Sequence, residues 1–185
     1  MNSNVRNLTR IAVFTAVLCV FAPLTLTLPV SPVPISIANL FIYIFAVILG
    51  TKRAILGLVI YFLLGSVGMP VFSHWSSGVV YIFGPTGGYL IGFLFCSLGA
   101  SLGDEIGRKV SRSKYIRTVI LVLGMVLGTL LCYFVGTLWL SYLNKLDFYA
   151  AVAAGVLPFI PGDAVKIVIA VILTMSLKEK IKKFF

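Results

Sequence analysis

Long apolar runs dominate the chain, and short polar or proline-rich segments separate them. A helix needs about 20 apolar residues to cross the hydrocarbon core of a bilayer. On this measure the pattern predicts six membrane-spanning helices, at residues 8–28, 35–50, 54–68, 84–103, 118–143 and 161–177. Pro23 is expected to bend the first of them in its outer half. The prediction is therefore an all-α membrane protein with a single six-helix domain over residues 1–185.

The segments between the predicted helices differ in character. Residues 29–34 are proline-rich and break helix, and residues 69–83 are uncharged and rich in aromatic side chains. Residues 104–117 are strongly polar, whereas residues 144–160 contain a short apolar stretch at 148–157. Arg6 and Arg10 precede the first apolar run, but no small-residue cleavage pattern follows it. We therefore expect a retained first helix rather than a signal peptide.

Composition supports the membrane assignment. Apolar residues make up 60% of the chain, charged residues make up 11%, and the mean hydropathy is +1.10. A soluble domain carries about 25% charged residues, so this chain cannot cover a water-facing surface. That excludes a cytosolic enzyme, a secreted module and a disordered chain. Cys19, Cys96 and Cys132 lie far apart within apolar runs, which is typical of packed small hydrophobes rather than of disulfides or metal ligands.

The net charge of +10 comes from basic residues that fall on one side of the predicted helices. They are Arg6, Arg10, Lys52, Arg53, Arg108, Lys109, Arg112, Lys114, Arg117, Lys178, Lys180, Lys182 and Lys183. The opposite side holds Lys145. Cytoplasmic ends carry an excess of Lys and Arg, so we expect both termini in the cytoplasm of a multi-pass cytoplasmic-membrane protein. The charge then reflects orientation in the lipid bilayer, and no nucleic-acid partner is expected. The outer connections are residues 29–34, 69–83 and 144–160.

Asp163 and Lys166 lie near the outer end of the sixth predicted helix, three residues apart and thus on one helix face. One interpretation is a self-neutralising pair, with Asp163 in the favourable first turn of the helix. Ionisable groups at membrane depth are costly, however, and mark ligand, ion or proton pathways by default. We favour a ligand site.

Small residues repeat every four positions along two predicted helices. They are Gly84, Gly88, Gly92, Cys96 and Ala100 on the fourth, and Gly124, Gly128, Cys132 and Gly136 on the fifth. Such stripes let helices pack closely. For Gly84, Gly87 and Gly88, at the outer mouth, close approach to a ligand is the alternative. Ala12 and Ala16 form a shorter stripe that serves either internal packing or a partner surface.

Aromatic side chains cluster in the second outer connection, where Phe72, Trp75 and Tyr81 are either interfacial belt residues or a wall over an apolar ligand ring. His74 lacks a second metal ligand and is expected on the surface. The sequence contains no phosphate-binding G-x-x-x-x-G-K-[ST] loop and no catalytic constellation. We therefore expect neither catalysis nor a metal site.

Four motifs together resemble one family. They are Pro32-Val-Pro34, Gly65-x-x-Gly68-x-Pro70-Val-Phe72, Gly84-Pro-Thr-Gly-Gly-Tyr-Leu-x-Gly-Phe93 and Pro161-Gly-Asp163-x-x-Lys166. On these motifs the chain is similar to the BioY family, the biotin-specific substrate-binding (S) components of energy-coupling-factor (ECF) transporters. The chain departs from the family pattern at Ser36-Ile-Ala38-Asn39 and at Ser73-His-Trp-Ser-Ser77.

The resemblance implies a six-helix S-component fold, capture of biotin from outside, and coupling to a transmembrane protein and two ATPase subunits. It also implies that Ala12 and Ala16 dock on the coupling protein. The residues expected to bind biotin are Asp163, Lys166, Trp75, Asn39, Gly84, Gly87, Gly88, Tyr89, Phe72 and Ser36. Biotin is the ligand, and no cofactor is expected.

The functional groups of biotin match the chemistry of these expected binding residues. Its ureido ring offers two N–H donors and a carbonyl, its second ring is apolar, and its tail ends in a carboxylate. The residues alone do not distinguish biotin from another small vitamin, so a solitary carrier or channel for a vitamin-like solute is the alternative. A membrane enzyme or a proton-coupled carrier would need further intramembrane acids, and a purely structural protein leaves Asp163 and Lys166 unexplained.

Overall fold

The computed structural model describes residues 3–27, 29 and 31–184, and the side chains of residues 4–27, 29 and 31–177. Leu28, the predicted end of the first helix, and Val30 of the first connection lie outside the described residues. The side chains of Lys178, Lys180, Lys182 and Lys183 also lie outside them.

The described chain is mostly helical, as predicted. Its helices are α1 (Ser3–Phe21), α2 (Ala38–Leu49), α3 (Thr51–Ser66), α4 (Val79–Ile82), α5 (Gly87–Val110), α6 (Lys114–Asn144), α7 (Phe148–Gly155) and α8 (Ile160–Phe184). Within the described residues, four helices are long and apolar enough to cross a membrane, namely α1, α5, α6 and α8. The helices α2 and α3, where two further spans are predicted, have 12 and 16 residues.

The first helix ends earlier than predicted, at Phe21 instead of residue 28. Pro23 ends this helix rather than bending it, because proline has no N–H to continue the hydrogen-bond pattern. The chain then forms strand β1 (Thr25–Leu26), which pairs antiparallel with β2 (Ile35–Ser36). This short hairpin holds the proline-rich connection over the bundle and brings Ser36 to the start of α2.

The fourth predicted helix extends further than expected, because α5 continues through the polar segment to Val110. Two ion pairs at i,i+4 spacing stabilise its last turns, as such pairs do on helix surfaces. Arg108 lies 2.7 Å from Asp104, and Lys109 lies 2.8 Å from Glu105. The connection to α6 is therefore only residues 111–113.

The helices α5 and α6 form the most extensive helix pair, and their small residues face one another. A Cβ atom added to Gly99 would overlap the backbone of Gly124, and one added to Gly128 would lie 2.5 Å from the Phe95 carbonyl oxygen. The glycine stripes therefore serve internal packing, as expected. Helix α2 packs against α5 and α8, so its first turn lies beside the first turns of α8.

Candidate ligand-binding site

The carboxylate of Asp163, in the first turns of α8, is the centre of a buried hydrogen-bond cluster. Asn39 Nδ2 donates to Asp163 Oδ1 at 2.9 Å, and Tyr133 OH donates to Oδ2 at 2.6 Å. Lys166 Nζ donates to Oδ1 at 2.7 Å. These three donors belong to α2, α6 and α8, so the cluster joins three helices at one point.

Lys166, like Asp163, has hydrogen-bond partners within the protein. Besides Asp163, its ammonium group donates to the Ser36 carbonyl oxygen at 2.7 Å. Asp163 and Lys166 are only 7% and 9% exposed, and their direct contact confirms the predicted i,i+3 pairing. Removing one partner of such a pair leaves an uncompensated buried charge, which costs about 3–5 kcal/mol.

A cavity opens beside this cluster, and the space in it that no protein atom fills is about 470 Å³ when the open solvent at its mouth is included. Its polar lining is Ser36, Asn39, Thr129, Tyr133, Asp163 and Lys166. Its other lining residues are Val33, Pro34, Tyr89, Phe93, Cys96, Cys132 and Phe159. We call this space the deep chamber. One end of it is polar and the rest is mostly apolar, a combination typical of small-molecule sites.

The deep chamber offers a ligand two unused acceptors. Asn39 Oδ1 is buried and has no partner. The Asp163 carboxylate can accept about four hydrogen bonds and accepts three from Asn39, Tyr133 and Lys166. A ligand that brings N–H or O–H donors would satisfy both groups, whereas a buried acceptor left without a donor is costly.

A second cavity adjoins the first, and the space in it that no protein atom fills is about 350 Å³ when open solvent is included. Both share the lining residues Val33, Pro34, Ser36, Tyr89 and Phe93. The second is completed by Ala22, Tyr61, Ser73, Thr86 and Leu90. We call it the neutral chamber, because none of these described lining residues is charged. Tyr89 lines both chambers. A hydrogen bond of 2.9 Å from its hydroxyl to the Gly155 carbonyl oxygen fixes the position of its ring.

The predicted residues Ser36, Asn39, Tyr89, Asp163 and Lys166 thus come together, although they lie far apart in the sequence. Sequence analysis missed Tyr133, Thr129 and Phe93, and it assigned the cavity-lining Cys96 and Cys132 to packing alone. Tyr133 follows Cys132 of the small-residue stripe on α6, which is the one signal that could have placed it beside α5.

Phe72 and Trp75 do not line either cavity. Phe72 is fully buried against α3, where its ring contacts Gly65 and stacks on Tyr81 with centroids 5.3 Å apart. A Cβ atom at position 65 would overlap that ring, so Gly65 creates the pocket that Phe72 fills. Trp75 is 56% exposed at the end of a 3-10 turn, Ser73–Trp75. Neither ring forms the predicted wall over a ligand in this arrangement.

Gly84, Gly87 and Gly88 also lie outside both cavity linings, and the structure gives them a packing role. The Gly84 carbonyl oxygen accepts a hydrogen bond of 2.9 Å from Trp139 Nε1. A Cβ atom at Gly87 would overlap the Ile82 carbonyl group, and one at Gly88 would overlap Trp139. Close packing of α5 against Ile82 and Trp139 therefore accounts for Gly87 and Gly88, and contact of the three glycines with a ligand stays a prediction.

Ala12 and Ala16 lie on the exposed face of α1. The opposite face carries Ile11, Phe14 and Leu18, which are buried in the core. The alanine stripe is thus available on the bundle surface. Among the described residues, no group of three or more side chains is arranged to hold a metal ion.

Membrane-length helices around a buried cavity with one polar end define a multi-pass membrane protein with a small-molecule site. The particular family follows from comparison with known proteins. The chain belongs to the BioY family, whose model matches residues 1–183.

Several curated relatives and one solved structure are similar over nearly the whole chain. The biotin transporter BioY2 of Lactococcus lactis subsp. cremoris is 31% identical over 95% of this chain and 92% of its own length. The probable biotin transporter BioY of Pyrococcus horikoshii is 34% identical over 91% and 93%, respectively. A crystal structure of the S-component for biotin from an ECF-type ABC transporter matches with a TM-score of 0.83 at 27% identity, over 97% of this chain and 95% of that one.

Proposed function

We propose that this chain binds biotin and takes part in its uptake as the substrate-specific component of an ECF-type transporter. The names of its relatives and the nature of its structural neighbour support this proposal. They also make the chain a transport component rather than an enzyme. The alternative, a solitary carrier or channel for another vitamin-like solute, gains no support from these relatives.

The observation that carries the proposal is the acceptor-rich polar end of the deep chamber. Biotin has two N–H donors, both on its ureido ring, and Asn39 Oδ1 and Asp163 can accept them. Lys166, which uses two of its three N–H donors within the protein, can donate the third to the ureido carbonyl. Phe93, Tyr89 and Phe159 would then contact the apolar second ring.

Within the membrane, we propose one domain with six spans in which α2 and α3 act as short membrane helices beside α1, α5, α6 and α8. The basic residues of the α5–α6 connection and of the C-terminal segment would lie in the cytoplasm with both termini. The chambers, near the proline-rich connection and the start of α8, would then face the outside of the cytoplasmic membrane.

The exposed alanine stripe of α1 is the proposed docking face for the coupling protein, through which two ATPase subunits would drive uptake. Small side chains allow a partner helix to approach the α1 backbone closely. The exposure of Ala12 and Ala16 supports this role over internal packing.

Uptake of labelled biotin into cells that cannot synthesise biotin tests the function. We expect uptake when the chain is expressed with a coupling protein and its ATPases, and loss of uptake with an ATPase inactivated in its nucleotide site. Uptake of another vitamin but not of biotin would contradict the proposed substrate.

A further inference from the structure

The neutral chamber has a chemistry that the proposed function does not explain, since biotin carries a negative charge at the end of its tail. The two chambers share Tyr89 and Phe93, one turn apart on α5, so a ligand that fills the deep chamber extends along these rings into the neutral one. The charged end of the biotin tail would therefore meet the lining of the neutral chamber.

The orientation of biotin follows from counting donors and acceptors. The deep chamber lacks a donor for Asn39 Oδ1 and has one unused acceptor position on Asp163. The ureido ring supplies two N–H donors, whereas the tail carboxylate supplies none. A carboxylate in the deep chamber could accept the third N–H of Lys166, but it would lie against the Asp163 carboxylate and leave Asn39 Oδ1 unpaired. The ureido ring therefore occupies the deep chamber, and the tail points into the neutral chamber.

The tail meets no cation there. The described lining of the neutral chamber offers hydroxyl groups, from Ser73 and Thr86 among others, and apolar side chains such as Leu90. Lys166 is not part of that lining and is already held by Asp163 and the Ser36 carbonyl oxygen. His74, beside Ser73 in the sequence, is exposed and also lies outside the lining. Neutral hydroxyls can donate to the carbonyl oxygen of a carboxamide as well as to a carboxylate, and they can also accept from the amide N–H.

Part of the lining of the neutral chamber is accessible from outside the protein. Ser73 and Thr86, which belong to it, are only half-buried. A tail extended beyond the carboxyl carbon would pass Ser73 toward the outside rather than meet the core.

We propose that the ligands of this protein include biotin carboxamides, in which an amide replaces the tail carboxylate, and not free biotin alone. This inference rests on the proposed biotin-binding function. It extends the substrate class to biotinamide and to biotin joined through its carboxyl group to the side-chain nitrogen of lysine, the form that proteolysis of biotinylated proteins releases.

Equilibrium binding of biotin, biotinamide and the lysine conjugate to the detergent-purified native chain tests the inference. We expect both amides to bind within about tenfold of biotin, because the tail loses no ion pair and a hydroxyl that donates to the carboxylate can donate to the amide carbonyl oxygen. Amides that bind more than about tenfold more weakly than biotin would overturn the inference and leave the proposed function intact. Absence of biotin binding would overturn the proposed function, and this inference with it.

A matched pair of variants tests the position of the tail. Ser73→Lys adds a cation to the neutral chamber, so the preference for biotin over biotinamide should rise by roughly three- to tenfold. Ser77→Lys adds the same charge to the same connection, at an exposed residue outside the lining, and should leave the preference unchanged. An unchanged preference in folded Ser73→Lys, or an equal rise in both variants, would overturn the placement of the tail.

Discussion

Lys166 Nζ and Asn39 Nδ2 donate to the same oxygen of Asp163, at 2.7 and 2.9 Å, although Asn39 lies 124 positions away in the sequence. This shared acceptor links the first turn of α2 to the first turns of α8. It also fixes the orientation of the Asn39 amide, so that Oδ1 remains a buried acceptor without a partner. The position of the Asp163 carboxylate thus leaves Asn39 Oδ1 able to accept a hydrogen bond from a ligand.

The first prediction concerns that acceptor. Asn39→Ala removes Oδ1 and one donor to Asp163, and should weaken biotin binding by about one order of magnitude, the contribution of one good hydrogen bond. Isothermal titration of the purified variant measures the change. Asn144→Ala, at the exposed end of α6, is the control and should bind like the native chain. Native affinity in Asn39→Ala would exclude Asn39 from the site.

The second prediction separates the roles of Asp163 and Lys166. Asp163→Asn and Lys166→Met each remove a charge-assisted hydrogen-bonding group, so each should weaken biotin binding by about one to two orders of magnitude. If Lys166 serves the ureido end, Lys166→Met should leave the ratio of biotin to biotinamide affinity unchanged. A ratio that changes in Lys166→Met would instead assign the tail carboxylate to this lysine.

Because each variant leaves a buried charge unpaired, folding must be checked separately. The double variant Asp163→Asn with Lys166→Met removes both charges and should recover thermal stability relative to either single variant. Its biotin binding should remain weak. A double variant that is stable and binds biotin like the native chain would show that the ion pair is structural.

The pairing of Asp163 with Lys166 could be predicted from sequence, since three residues along a helix place two side chains on one face. The contacts of this pair with Asn39 and Tyr133 could not be predicted, because they are tertiary contacts between different helices. The periodicity of apolar residues within one helix does not say which other helices lie beside it. Phe72 shows the same limit. Its aromatic neighbours predicted a ligand wall, but the space left by Gly65 on α3 draws the ring into the core instead.

Helix bounds show a second limit of sequence reasoning. The apolar run continues past Pro23, so hydropathy extends the first helix, whereas the missing N–H of proline ends it at Phe21. Conversely, the polar segment after Gly103 ends the fourth predicted helix, but ion pairs such as Asp104–Arg108 extend α5 to Val110. The backbone chemistry of proline set one helix end, and side-chain ion pairs stabilise the other.

The third prediction tests the docking face of α1. Ala12→Trp and Ala16→Trp place a large ring on an exposed stripe, so biotin binding by the isolated chain should be unchanged. Co-purification with the coupling protein should be lost, because the partner helix can no longer approach. Ala153→Trp, at an exposed position of α7, is the control and should leave both measurements unchanged. Loss of biotin binding in a folded Ala16→Trp variant would instead indicate internal packing.

The fourth prediction tests the close packing of α5 on α6. Gly99→Ala forces a methyl group against the Gly124 backbone and should destabilise the protein by about 1–3 kcal/mol, the usual cost of overpacking. Gly162→Ala, on α8, meets no atom within 4 Å of the added Cβ and should leave thermal stability nearly unchanged. Equal melting temperatures for both variants would contradict the close contact between the α5 and α6 backbones.

Photoaffinity labelling places the ligand directly and so tests whether biotin occupies the two chambers. A photoreactive biotin probe should label residues of 29–34, 72–89 or the first turns of α8, and excess biotin should block the labelling. Labelling confined to residues 104–117, at the opposite end of α5, would contradict the site.

The most direct measurement is an equilibrium titration of the detergent-purified native chain and its Asp163→Asn variant with biotin. We expect saturable binding by the native chain, and binding weaker by about one to two orders of magnitude in the folded variant. Failure of the folded native chain to bind biotin, or equal affinity in the two proteins, would contradict a biotin site built around Asp163.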